Sequence, residues 1–254
     1  MVKKFAQIND IRICYEIKGE GEPVLLVHGF GSEKESWNAQ FEPLSEHFKV
    51  IRFDNRGAGE SERPNQPYLM EMFADDTAGL LDHLNIEKAH IIGWSLGGMI
   101  VQQFAVRYPE RIKKIVLINT LPKIPGEQSG LEMYKNNQIK GYHRKMEDPK
   151  KAFFEGAKLS YSRKFRKQME QNPNKTFHGL FSAQDLIDIS ILHPATPQDI
   201  ENQAHALSKY DVMDELSDIK QQTLIIAAEK DRITPLIMNK RIHNEIPNSE
   251  LIVM

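Results

Sequence analysis

The chain has 254 residues, of which 40% are hydrophobic and 27% are charged, and its formal net charge is −2 at pH 7. These values favour a soluble, cytoplasmic α/β protein with no nucleic-acid partner, and no apolar run approaches the roughly 20 residues of a membrane span. The single cysteine, Cys14, excludes an internal disulfide, and the sequence lacks metal-ligand spacings and phosphate-binding glycine loops, so we expect no metal and no cofactor.

The first predicted elements are two strands, residues 3–8 and 11–17, joined tightly in a β-hairpin. Residues 23–27 follow as a continuous apolar run, which is typical of a strand buried on both faces of a parallel sheet. Later strands and helices alternate, which predicts right-handed crossovers and a doubly wound, mostly parallel sheet. The further predicted strands are residues 49–53, 89–92, 112–118, 223–228 and 250–253, and the clearest helices are residues 71–84 and 236–245.

Residues 121–210 interrupt this alternation with helix-like stretches, scattered aromatic residues and six prolines. We expect them to form an inserted helical cap over the carboxyl edge of the sheet, where open α/β sheets bind ligands. The core would then comprise residues 1–120 and 211–254. Residues 123–170 hold twelve Lys and Arg against six Asp and Glu, which fits either an ordinary solvated surface or a site for an anionic substrate or acidic carrier protein.

The most informative motif is Gly-Trp-Ser-Leu-Gly at residues 93–97, between an apolar strand and a helix-period segment. A G-x-S-x-G motif in this context predicts a nucleophile elbow, in which Ser95 occupies a strained turn that exposes its hydroxyl. Glycine is needed at both ends because larger side chains would collide with the adjoining strand and helix. A plain Gly/Ser turn between two core elements is the alternative.

Two further segments complete a catalytic pattern. Residues 24–32 lead from an apolar strand into a His-Gly-x-Gly loop, and residues 223–235 place Asp231 a few positions after a late strand. Acyl transfer needs two N–H donors aimed at the developing oxyanion, and the backbone N–H groups of Phe30 and Leu96 are the natural pair. Trp94 and Phe30 are candidates to border an acyl pocket, with core packing as the alternative.

These segments resemble the α/β-hydrolase family over the whole chain outside the cap. The resemblance implies that Ser95 is the nucleophile and that Asp231 is the acid that orients the catalytic imidazole. Glu229 is the nearest competitor, but Asp231 better fits the family's spacing to a following proline. The Gly-rich turn that carries Asp54 and Arg56 resembles a structural scaffold, so these two residues receive no chemical role.

The family's catalytic histidine follows the last strand, and none of the nine histidines of this chain has that position. His28 belongs to the oxyanion loop, while His47 and His83 are placed on early helices. We therefore expect a tail of about 20 residues beyond Met254, the size of a loop plus a helix, to carry the general base. Without that histidine Ser95 would be almost inert.

The predicted function is that of a serine esterase (EC 3.1.1 type) that forms an acyl-enzyme with a small or medium ester or lactone and needs no cofactor. Within the same family the motifs also resemble enol-lactonases, methylesterases of carrier-bound substrates and cofactor-free haloperoxidases or perhydrolases. A hypothesis of a different class is a non-catalytic ligand receptor with the same fold. The sequence predicts neither the acyl-chain length nor the oligomeric state.

Overall fold

The computed structural model describes residues 2–125 and 128–254. Eight strands form one sheet, and nine α-helices and three short 3₁₀ turns connect them within these ranges. The strands are β1 (Lys4–Ile8), β2 (Ile11–Lys18), β3 (Pro23–Val27), β4 (Lys49–Phe53), β5 (Ala89–Trp94), β6 (Ile112–Ile118), β7 (Gln222–Ala227) and β8 (Ser249–Val253). The helices are α1 (Asn38–Ser45), α2 (Met70–His83), α3 (Leu96–Arg107), α4 (Gln128–Glu147), α5 (Pro149–Ser160), α6 (Arg163–Gln171), α7 (Ala183–Leu192), α8 (Pro197–Lys209) and α9 (Leu236–Glu245), with 3₁₀ turns at Lys34–Trp37, Pro109–Arg111 and Met213–Asp218.

The sheet has the strand order β1-β2-β4-β3-β5-β6-β7-β8. Strand β2 runs antiparallel to β1 and β4, and all the other pairs are parallel. The hairpin prediction is confirmed, because Ile8 pairs with Ile11 across a turn in which Asn9 has φ = 51°. The doubly wound sheet is confirmed as well, and its central strand β3 is fully apolar because it is covered on both faces.

Two clusters of apolar side chains fix the helices on the sheet. The larger cluster joins the sheet to α2, α3 and α9 through residues such as Phe73, Phe104 and Ile242, each at most 1% exposed. The smaller cluster lies under α1 and includes Trp37 and Phe41. Strands β5, β6 and β7 also project apolar side chains from the face of the sheet on which α1 lies. These side chains are only partly buried: Ile92, Val116, Ile118, Leu224 and Ile226.

Helices α4–α8 occupy the interval between β6 and β7. Their aromatic residues form a small cluster of their own around the buried side chains of Met169 and Phe177. Helix α8 packs on α4 and also reaches the core next to α2. No helix in the two described ranges is both long and apolar enough to cross a membrane.

Two local expectations need correction. Strand β5 is longer than residues 89–92, because Gly93 and Trp94 continue the ladder by pairing with Leu117 and Ile118 of β6. Glycine weakens the interior of a strand, but pairing with the neighbouring strand outweighs that local preference. His47 follows the end of α1 at Ser45 and is not on a helix.

Candidate active site

Ser95 lies on the turn between β5 and α3 with φ = 53° and ψ = −122°. A residue with a side chain rarely adopts such a backbone conformation, which costs on the order of 1–3 kcal/mol and persists only where the surroundings impose it. The Ser95 N–H donates to the carbonyl of Ile118 at 3.0 Å. The Thr120 hydroxyl donates to the carbonyl of Ser95 at 2.8 Å. The turn is therefore held by the last residue of β6 and by the segment that follows it.

The glycines at both ends of the motif are required by close backbone contacts. A Cβ on Gly93 would lie 2.3 Å from the carbonyl oxygen of Gly97, and a Cβ on Gly97 would lie 2.1 Å from that of Val27. Both distances are far below ordinary van der Waals contact. The structure thus shows the close approach that the sequence predicts, and it brings the start of α3 directly against the end of β3.

This contact places the predicted oxyanion loop, His28–Ser32, beside Ser95. No acceptor among the described residues takes the backbone N–H of Phe30 or of Leu96. Leu96 is the first residue of α3, where N–H groups lack intrahelical acceptors and favour negative charge. The two predicted donors are therefore both unoccupied and both near the elbow.

The two aromatic candidates have different surroundings. The Trp94 ring lies against Gly29, where an added Cβ would come within 2.7 Å of it, and it packs on the smaller core cluster. The Phe30 ring meets Tyr134 of α4 edge to face, with 5.5 Å between the ring centroids. Trp94 thus packs on the core while it stays partly exposed, whereas Phe30, within the loop, contacts the inserted helices.

His28 is a structural residue of this loop. Its side chain is buried, its Nε2 accepts the backbone N–H of Asn55 at 3.0 Å, and its Nδ1 lies 2.9 Å from the carbonyl of Gly29. Burial lowers the pKa of this imidazole, so it stays neutral with the proton on Nδ1. Both ring nitrogens are engaged, which leaves none for Ser95.

The turn from Phe53 to Ser61 is a buried ionic scaffold, as the sequence analysis expects. Asp54 accepts the backbone N–H of Lys34 at 2.7 Å and its ammonium at 3.0 Å. Arg56 forms a buried pair with Asp76, with 2.6 Å between Nε and Oδ2. These contacts fix the turn against the loop that follows β3, and they give Asp54 and Arg56 no access to a substrate.

One group of side chains in the described ranges has metal-ligand atoms close together, namely Cys14, Asp54 and Glu60, whose atoms lie within 4.8 Å of one another. The Lys34 ammonium lies 3.0 Å from Asp54 and 3.1 Å from Glu60, so it already supplies the positive charge there. Burial raises the pKa of Cys14 to about 12, which keeps the thiol protonated. The donor set therefore fits a buried lysine and does not fit a metal ion.

Asp231 follows β7, and its carboxylate is held by three donors. Oδ1 accepts the N–H groups of Ile233 at 2.7 Å and Thr234 at 2.9 Å, and Oδ2 accepts the Thr234 hydroxyl at 2.7 Å. The side chain of Glu229, the competing candidate, is exposed. One strand separates β5 from β7, so the ends of the two parallel strands that lead to Ser95 and Asp231 lie about 10 Å apart at the same edge of the sheet.

Asn119 and Thr120 connect these two sites, a role that the sequence analysis missed. Asn119 accepts the N–H of Ala228 through its side chain at 2.8 Å and donates its own N–H to the carbonyl of Ile226. Thr120 donates its N–H to Asn239 of α9 and its hydroxyl to Ser95. The post-β6 brace, residues 119–120, thus ties the serine turn to the loop that leads to Asp231.

No histidine in the described ranges hydrogen-bonds Ser95 or Asp231. Those with side-chain contacts have partners elsewhere: His28 with Asn55, His83 with Tyr15, His90 with Glu22, His193 with Glu60, His205 with the carbonyl of Tyr68 and His243 with Ser249. Met254 lies beside the acid loop, because its N–H donates to Ala227 and its carbonyl accepts the N–H of Glu229, both at 2.9 Å.

Comparisons with known proteins agree with this arrangement. The putative carbamate hydrolase RutD of Azorhizobium caulinodans is 26% identical over 253 residues, which are 97% of this chain and 88% of that protein. A thermophilic esterase from Thermogutta terrifontis matches with a TM-score of 0.78 at 27% identity, over 100% of this chain and 90% of that one. A bromoperoxidase from Bacillus anthracis matches with a TM-score of 0.80 at 27% identity, over 100% and 91%.

Other curated relatives are matched over a shorter stretch. For an uncharacterized protein of Mycobacterium tuberculosis the match is 34% identical over 116 residues, so this chain covers only 34% of that protein's length. The model of the alpha/beta hydrolase fold, in contrast, matches residues 22–254, which is nearly the whole chain. The eight-stranded sheet and the serine turn between β5 and α3 agree with this match. The chain therefore belongs to the alpha/beta hydrolase fold family.

Proposed function

We propose that this protein is a serine hydrolase that cleaves carboxylic esters through an acyl-enzyme at Ser95. The observation that carries the proposal is the strained Ser95 turn, φ = 53° and ψ = −122°, set beside two backbone N–H groups that have no acceptor in the described structure. A fold that served only to bind a ligand would have no need to maintain this strain at a serine. Phe30 and Leu96 are the proposed oxyanion donors.

The proposed general base is a histidine, with Asp231 as its orienting acid. The three donors that hold the Asp231 carboxylate fix its direction, which is the task of the third member of a triad. None of the histidines in residues 2–125 and 128–254 hydrogen-bonds Ser95 or Asp231.

The reaction follows from these positions. The imidazole takes the proton of the Ser95 hydroxyl while Oγ attacks the ester carbonyl carbon, and the N–H groups of Phe30 and Leu96 stabilise the negative charge on the former carbonyl oxygen. The tetrahedral intermediate collapses, the alcohol leaves with the proton from the imidazolium, and Ser95 is acylated. Water, activated by the same imidazole, then releases the acid. This sequence requires no cofactor.

The proposed substrate is a small or medium acyl ester or lactone. The edge-to-face contact of Phe30, in the oxyanion loop, with Tyr134 of α4 supports an apolar acyl site between the loop and this helix. The thermophilic esterase among the similar structures supports ester hydrolysis, and the bromoperoxidase supports perhydrolysis as a side reaction of the same acyl-enzyme. We place the protein in the cytoplasm, because its one cysteine is buried and unpaired.

The test combines a fluorophosphonate probe with hydrolysis of p-nitrophenyl butyrate by the natively expressed protein. Wild-type protein should gain one probe adduct, at Ser95, and Ser95→Ala should lose at least about 10³-fold in kcat. Ser190→Ala is the matched control, because it removes a hydroxyl from α7 that bonds only its own helix at Ile187. Residual Ser95→Ala activity above a tenth of wild type, or stoichiometric ligand binding without turnover, would contradict the proposal.

A further inference from the structure

Helix α8 presents a row of polar side chains to the core, although nearly all helices bury apolar faces. Asp199, Asn202 and Gln203 are 3%, 5% and 1% exposed, and their spacing places them on one face of the helix. Asp199 pairs with Arg63 at 2.7 Å, and Asn202 donates to the carbonyl of Pro64 at 3.3 Å. This face is therefore held on the loop after β4 by hydrogen bonds and an ion pair.

Gln203 differs from its neighbours because its amide joins two separate loops. Its Oε1 accepts the backbone N–H of Gly31 at 3.0 Å, and its Nε2 donates to the carbonyl of Gly57 at 3.0 Å. A backbone N–H can only donate and a carbonyl can only accept, so just one orientation of the amide satisfies both contacts. The amide thus cross-links the oxyanion loop to the turn that carries Asp54, from a helix more than 140 residues later in the chain.

The cross-link lies next to Phe30, so it fixes the part of the loop that carries the proposed donor. Gly31 directly follows Phe30 and has φ = +61°, so the loop makes a sharp turn just where Gln203 holds it. The close contact of Gly97 with Val27 fixes the position of the loop where it leaves β3. Gln203 fixes the end of the loop and also takes up the Gly31 N–H, whereas the N–H of Phe30 has no acceptor among the described residues.

We propose that Gln203 is a positioning residue that aligns the oxyanion loop through its bonds to Gly31 and Gly57. The role of the loop in catalysis rests on the proposed function. Oxyanion donors act mainly in the transition state, so a loss of alignment lowers kcat and leaves KM nearly unchanged. A change that only loosens α8 lowers stability and leaves kcat nearly unchanged.

The first test compares two near-isosteric variants of the same helix face, Gln203→Met and Asn202→Leu. Both remove a buried amide from α8, but only the first removes the bond to Gly31. With p-nitrophenyl butyrate, well below both melting temperatures, Gln203→Met should lower kcat about 10- to 100-fold at a KM within about twofold of wild type. Asn202→Leu should keep kcat within about threefold. Equal kcat values for the two variants would overturn the proposal.

Gln203→Glu adds a signature that a structural role would not produce. A protonated carboxyl accepts the Gly31 N–H and donates its O–H to Gly57, so it restores both bonds, whereas a carboxylate faces the Gly57 carbonyl with no proton to donate. Burial raises the pKa of such a carboxyl. The ratio of variant to wild-type kcat should therefore rise at least about fivefold from pH 8 to pH 5.5, and a flat ratio would count against the proposal. Dividing by wild type at each pH cancels the titration of other groups.

Hydrogen exchange of the segment 28–33, measured by mass spectrometry, separates this proposal from the proposed function. The Gly31 amide should exchange slowly in wild type and in Asn202→Leu, and at least about tenfold faster in Gln203→Met. If wild type shows no turnover and no probe adduct, the proposed function fails while this readout still decides whether Gln203 holds the loop. Unchanged exchange in Gln203→Met would overturn the positioning role whatever the activity.

Discussion

Gly97→Ala should damage both stability and turnover, although alanine is the better helix former. The added Cβ would lie 2.1 Å from the carbonyl oxygen of Val27 and 2.7 Å from that of His28. Ordinary contact begins near 3.4 Å, so backbone atoms of β3 and α3 must separate by about 1.3 Å. Neither partner is a flexible side chain that could rotate away, so the clash must move the oxyanion loop.

Overpacking of this kind costs about 1–3 kcal/mol, and we expect about 2 kcal/mol here. For a chain of this length that loss lowers Tm by about 4–8 °C. A displacement near 1 Å at the loop that carries Phe30 should also lower kcat at least about tenfold. Thermal denaturation and p-nitrophenyl butyrate hydrolysis measure the two effects on the same preparation.

Gly141→Ala in α4 is the matched control, because nothing lies within 4 Å of a Cβ built there. The same substitution should then gain about 0.5–1 kcal/mol from the reduced freedom of the unfolded chain, and Tm should rise by about 1–3 °C. The reasoning is refuted if Gly97→Ala matches wild type in Tm and kcat, or if the two variants shift Tm in the same direction by similar amounts.

Three further predictions concern charged groups. Asp231→Asn should lower kcat by about 10⁴-fold while Glu229→Gln stays within about twofold, as measured on the same ester; a reversed order would reassign the acid. Lys34→Met leaves Asp54 without its ammonium partner, so the free energy of unfolding should fall by about 3–5 kcal/mol in urea titrations, and a loss below about 1 kcal/mol would count against the buried pair. Burial raises the pKa of Glu33 to about 8, so the folded chain keeps a proton that the unfolded chain loses, and stability falls as pH rises from about 4.5 to 8. In Glu33→Gln, Tm measured from pH 4.5 to 8 should therefore fall less than it does in wild type. Parallel curves of Tm against pH for variant and wild type would contradict this expectation.

The strands and the serine turn could be predicted from sequence because their causes are local. Apolar residues predominate in β3, β4 and β6, whose predicted bounds the structure reproduces. The turn at Ser95 is indicated by Gly93 and Gly97. Gly93 contacts residues close to it in the chain, and Gly97 contacts the adjacent strand β3. The structure shifts the bounds of β1, β2, β7 and β8 by one residue, and it extends β5 through Trp94 because of the pairing with β6.

The polar contacts of α8 and of the post-β6 brace could not be predicted in this way. Asp199, Asn202 and Gln203 look like a solvated helix face, since polar residues at this spacing usually meet water. Their partners lie more than 130 residues earlier in the chain, so no local pattern shows that the face is buried. Asn119 likewise contacts Ala228, 109 positions away. Such pairings exist only once the sheet is assembled.

The place of the helical insertion also sets the order in which the chain can fold. Strands β6 and β7 are neighbours, yet roughly 100 residues separate them, so their pairing must close a long loop, whereas β1 to β6 pair over shorter intervals. During synthesis from the N-terminus, the Ser95 turn and its brace at Thr120 emerge with the first six strands, and Asp231 emerges with the last two. Until β7 arrives, β6 is an edge strand with unpaired backbone groups, which is the stage at which this chain is most exposed to aggregation.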